Sequence, residues 1–82
     1  MRGYNQLSWK ERGAYDDEYY ALKEELLAEP VRRRELTEDA YVEWERAREE
    51  LQARWFERAP SFDEEEARTK FPWAVRYWLD KV

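Results

Sequence analysis

The sequence contains no cysteine, no histidine and no isoleucine, and only two glycines and two serines. Each absence closes a chemistry. Without cysteine there is no disulfide and no thiolate metal ligand, which fits a reducing compartment. Without histidine the usual proton shuttle near neutral pH is missing, and no Ser–His or Cys–His pair can be assembled. The His-containing di-iron motif of helical bundles is excluded too. Gly3 and Gly13 belong to no Gly-x-Gly or Walker-type string, so no loop is available to cradle a phosphate. No Asp-x-Asp-x-Asp-Gly loop is present for calcium. The expectation is a protein that is not an enzyme, with no cofactor and no metal site.

Long apolar runs are missing as well. No stretch approaches the roughly 20 apolar residues that a bilayer-spanning helix needs. Met1 to Ser8 carries one basic residue and no apolar run, so it does not read as a secretory signal. The expected location is the cytoplasm, with no membrane partner.

What is present is a chain of 82 residues, enough for one domain. A chain this short buries only about 60–65% of its unfolded surface, and self-association would help it. Five Trp, six Tyr and three Phe must supply core volume that aliphatic residues normally supply. Fifteen Glu and eleven Arg join Leu and Ala as good helix formers. The net charge of −5 argues against general nucleic-acid binding and against anionic membranes.

Periodicity predicts an all-α fold. Ser8 and Glu11 have capping-box spacing, so one turn over Trp9 to Arg12 is expected, ended by Gly13 within an arm of residues 1–13. Tyr15, Tyr19, Leu22 and Leu26 fall on one stripe of a helix from Ala14 to Glu29. Pro30 should bend the chain and open a connector, Val31 to Leu36. Thr37 caps a long helix from Glu38 to about Arg58, with Ala40, Trp44, Ala47, Leu51 and Trp55 as its main stripe. Pro60 stops it. Ser61 caps the last helix, or Asp63 does so further on. Pro72 kinks or splits that helix, whose stripe is Phe71, Val75, Trp78, Leu79 and Val82. The sum is one domain over residues 1–82, a small bundle of three main helices plus the arm.

Two acidic triplets, Asp16–Asp17–Glu18 and Glu64–Glu65–Glu66, lie in predicted first helical turns. There negative charge complements the helix dipole, and consecutive residues point apart, so neither makes a focused acid pair. Ser8 and Ser61 read as caps. The run Arg32–Arg33–Arg34 balances the acids of the preceding helix, or alternatively contacts an anion.

More apolar residues exist than one stripe per helix requires. At about 100° per residue, Tyr20 and Leu27 lie roughly 100° from the first stripe. Val42, Ala53 and Phe56 lie across the long helix from Trp44 and Leu51. Trp73 and Tyr77 lie opposite Phe71, Val75 and Trp78. The arm, with Tyr4, Leu7 and Trp9, covers at most one such second face. Interfaces are enriched in Trp, Tyr and Arg. The sequence therefore reads as an aromatic-rich protein–protein interaction module, an adaptor or inhibitor. Its expected partner is another protein or a second copy, bound through Tyr20, Leu27, Phe56, Trp73, Tyr77, Arg32, Arg33 and Arg34. One alternative is an acidic inhibitor, of the kind phages and mobile elements encode, occupying a nucleic-acid site on a nuclease, polymerase or CRISPR complex. Another is a nucleic-acid binder through Arg32 to Arg34, which the net charge disfavours.

Overall fold

The computed structural model describes residues 2–79, and all its regular elements are helical. A 3-10 turn, Tyr4–Gln6, precedes α1 (Trp9–Lys23), a π-helical turn (Glu24–Ala28), α2 (Glu29–Arg32), α3 (Glu38–Trp55) and α4 (Glu64–Leu79). None of the described helices is long and apolar enough to cross a membrane.

The Ser8 box forms: Ser8 Oγ accepts from the Glu11 N–H at 3.1 Å, and the Glu11 carboxylate accepts from the Ser8 N–H at 2.9 Å. It opens a longer helix than the predicted single turn. Gly13 does not act as a stop, because it has no positive φ and lies inside α1. A glycine costs a helix interior only about 1 kcal/mol relative to alanine, which the cap and the burial of Tyr15 offset.

Pro30 does not break the chain where expected. A proline ring collides with the carbonyl four residues back and has no N–H to offer it. The turn before it is widened instead: the Glu29 N–H bonds the Glu24 carbonyl, five residues back. Helical backbone then continues through Pro30 to Arg32. The wider turn also delays later side chains by up to one position, about 100°. Leu27 and Val31 thereby rotate onto the core stripe. Leu27 is fully buried, which corrects its assignment to a second, outward face. Tyr20 precedes the wide turn and stays exposed.

Helices α2 and α3 end alike. Arg34 (φ 57°) and Glu57 (φ 53°) take the left-handed conformation. The Glu35 N–H reaches Pro30 O at 2.9 Å and the Arg58 N–H reaches Ala53 O at 3.0 Å. Helix α3 thus stops at Trp55, three residues before the predicted end. Phe56 leaves the helical wheel and sits half-buried beside Tyr15, their ring centroids 5.2 Å apart. The arm closes over this end: the Arg2 N–H donates to Phe56 O at 3.0 Å, and Leu7 is buried against the same cluster.

Helix α3 is central, and its Thr37 cap forms, with Thr37 Oγ1 accepting from the Ala40 N–H at 3.1 Å. Tyr15 with Gln52 and Tyr19 with Trp44 set α1 antiparallel to it. Arg46 with Glu64 and Arg68 with Glu38 set α4 antiparallel on the other side. Val42 and Ala53 are buried rather than left on an open back face. Val42 lies in one cluster with Ala67 of α4 and with Phe62 of the chain that returns after α3, and Glu49 holds that return: the Ser61 N–H and hydroxyl donate to its carboxylate at 3.2 and 3.0 Å. Ser61 is therefore not a helix cap. Asp63 caps α4, accepting from the Glu66 N–H at 3.1 Å.

Helix α4 runs on through Pro72 as one element rather than splitting there. Ala67 and Phe71 before the proline, and Ala74 and Trp78 after it, all pack on the same core, which holds both halves in line. The side chain of Leu79, and Val82, lie outside the described residues. The protein is thin, 36 × 25 × 16 Å. Helices with side chains are about 10–12 Å across, so few rings can be covered on all sides.

Candidate functional site

Residues Tyr41, Glu45, Arg48 and Gln52 follow at helical steps along one side of α3. Three shallow clefts draw on this stripe: one against the arm and α1 at Gln52, one against α4 and the chain before it at Glu45 and Arg48, and one against α4 at Tyr41. About 1.5 Å per residue makes the stripe roughly 16 Å long.

The middle cleft, about 200 Å³, is polar and lined by Glu45, Arg48, Glu49, Ser61 and Lys70 among others. Its charges are consumed internally. Arg48 pairs with Glu45 at 2.7 Å, Lys70 with Glu66 at 2.8 Å, and Arg58 closes on Glu49. The Arg58 guanidinium, and then Ser61, hold the Glu49 carboxyl below its ordinary range. Tyr41, at the next cleft, is perturbed as well: burial, then the nearby Glu45 carboxylate, push its phenol up to about 12. Both shifts favour the resting protonation state, so neither prepares a group to exchange protons near neutral pH. No cluster of three metal-ligating side chains occurs among the described residues.

The cleft at the α4 end is different. Tyr41, Lys70, Trp73, Ala74, Tyr77 and Trp78 line it. Trp73 and Tyr77, one helical turn apart, are 69% and 56% exposed. The Tyr77 and Trp78 rings meet edge to face at 5.2 Å. Two cations sit on these rings: the Lys23 ammonium lies 4.9 Å from the Trp78 centroid, and the Arg76 guanidinium 5.8 Å from that of Trp73. Tyr20, 62% exposed, stands one turn before Lys23 on α1. Tyr20 opens instead on the cleft at the arm end, beside Tyr4, Tyr19 and Phe56, so the exposed aromatic face of α4 consists of Trp73 and Tyr77.

The remaining candidates separate from this face. Leu27 is core, and Phe56 belongs to the arm-covered end of α3. Arg32 reaches Glu24 and Glu29, and Arg33 Nε lies 2.9 Å from Glu29. Arg34 is exposed at its left-handed position, with no ion pair among the described residues. The triplet is therefore no continuous anion cradle; two of its three charges balance the acids of the helix before it.

One exposed ring outside the candidate set is Trp9. It is 87% exposed, and the Arg12 guanidinium lies 5.6 Å from its centroid and 5.5 Å from that of Tyr4. The capping box carried the signal: Trp9 is the first residue of α1, where a side chain has no preceding turn to pack on.

Comparison with protein-family models, with curated proteins and with solved structures found no match.

Proposed function

We propose that this three-helix bundle is a non-enzymatic interaction module of the cytoplasm, an adaptor or inhibitor that binds a protein partner through the Trp73–Tyr77 face. The observation that carries the reading is the exposure of Trp73 and Tyr77 on one turn of α4, with the Arg76 guanidinium over the Trp73 ring and the Lys23 ammonium over the neighbouring Trp78. A fully buried Trp or Tyr removes about 150–250 Å² from water. Two rings exposed to this degree offer roughly 250 Å², about 6 kcal/mol at 25 cal/mol/Å². That is comparable with the roughly 4–15 kcal/mol cost of association, so the rings make a sound anchor but need added contacts around them.

The acidic-mimic reading has less support. Twelve of the twenty carboxylates already pair with the chain's own cations, which leaves fewer than half to imitate a phosphate row.

The test compares two immobilised baits, the native chain and a W73A/Y77A variant with unchanged helical circular dichroism. The reading expects a protein from the native host that is retained by the first bait, lost from the second, and held with little dependence on salt. Identical retention by both baits would refute it. Retention lost on both alike between low and moderate salt would point to the acidic surface instead.

A further inference from the structure

Among the described residues most of the arginines pair with the chain's own acids, Arg34 and the ring-stacked Arg12 excepted. Arg2, Arg32, Arg46, Arg58 and Arg68 each hold a carboxylate. The α4 face departs from this rule. Lys23 and Arg76 form no ion pair among the described residues and lie over Trp78 and Trp73 instead. Lys70, at the same cleft, pairs with Glu66. Glu45 and Arg48, in the neighbouring polar cleft, cancel each other. Among the described residues three cations therefore stand against one carboxylate, an excess of two positive charges on a chain whose total is −5.

We infer that this face docks an acidic protein segment that carries an apolar anchor. The inference rests on the interaction reading above and adds the chemistry of the partner. A cation held over a ring keeps open donors, so an arriving carboxylate gains a charge-assisted bond without breaking an existing ion pair. The apolar anchor covers Trp73 and Tyr77, and the acids meet Lys23, Lys70 and Arg76 around them. A second copy docked face to face would set these same cations against each other, well within the 8–10 Å screening length at physiological salt. Single-stranded nucleic acid shares the chemistry of rings and cations. The chain's overall negative charge opposes a polyanion, however, and penalises a short acidic segment far less.

The experiment is a selection from a random 16-residue peptide library displayed on phage. The library is panned on the full chain and counter-selected on the W73A/Y77A variant. The expected peptides are rich in Asp and Glu around one or two Trp, Phe or Leu residues. They should lose about tenfold or more in affinity on a K70E/R76E variant that retains native circular dichroism. Face-dependent peptides that are basic or uncharged would overturn the acidic assignment and leave the interaction face standing. If no peptide is lost on W73A/Y77A, the assignment and the face both fail. Fluorescence polarisation with a dT15 oligonucleotide, and sedimentation of the chain alone, complete the test. Face-dependent oligonucleotide binding tighter than that of the peptides, or a dimer abolished by W73A/Y77A, would each overturn it.

Discussion

Replacing Glu49 by alanine tests whether the return of the chain after α3 is held by one carboxylate. The Glu49 side chain is 12% exposed and that of Arg58 25% exposed. The carboxylate accepts from both Arg58 Nη groups, from the Ser61 N–H at 3.2 Å and from the Ser61 hydroxyl at 3.0 Å. Removing one member of a buried ion pair costs about 3–5 kcal/mol, and Arg58 keeps some access to water, so the lower end, about 3 kcal/mol, applies. For 82 residues the whole stability is about 4–12 kcal/mol. The midpoint of thermal unfolding, followed by circular dichroism at 222 nm, should fall by roughly 12–24 °C. Glu49→Gln keeps an acceptor for Ser61 but loses the charge, and should cost about half as much. A double-mutant cycle with Arg58→Ala should return a coupling of at least 1 kcal/mol. If Glu49→Ala unfolds within about 0.5 kcal/mol of the parent, the carboxylate is an ordinary surface group and the account of this segment is wrong.

The same residue sets an acid limb. Its folded pKa is lowered from the ordinary 4.5, so its contribution is present above that value and lost as pH falls through the lower folded one. Urea midpoints measured from pH 6 down to pH 2.5 should fall less steeply for Glu49→Gln than for the parent. At the alkaline end Tyr41, raised to about 12, stabilises the fold below the ordinary phenol value of 10.0, and that stability is lost as pH rises through 12. Tyr41→Phe should remove the last step of tyrosinate absorbance at 295 nm. Leu27→Ala, at a fully buried site, should cost about 2–5 kcal/mol in urea unfolding, whereas W73A/Y77A on the exposed face should stay within about 0.5 kcal/mol. Arg34→Gly should raise stability by about 0.5–1 kcal/mol, because glycine takes the left-handed conformation without strain and Arg34 gives up no ion pair among the described residues.

The sequence by itself determined the helical character, the caps and the main stripes. Ser8, Thr37 and Asp63 are local signals that satisfy the first N–H groups of their own helices, and Tyr15, Trp44 and Leu51 repeat at helical spacing whatever surrounds them. The exposed rings Tyr20, Trp73 and Tyr77 were equally legible, since each lies on a regular stretch of helix where 100° per residue holds. What only the tertiary structure decided lies where that regular step fails or where distant segments meet. Leu27 moved inward because the turn before Pro30 widened, which periodicity cannot foresee. Phe56 left the wheel because α3 ended early in a left-handed residue that is not glycine. Ser61 served Glu49 across a loop rather than its own helix, and Pro72 stayed inside α4 because the core grips both of its sides. Local signals depend on a few neighbouring dihedrals and so are written in the chain. The choice among competing partners for Leu27, Ser61 and Pro72 depends on which segments arrive beside them, and only the folded packing supplies that.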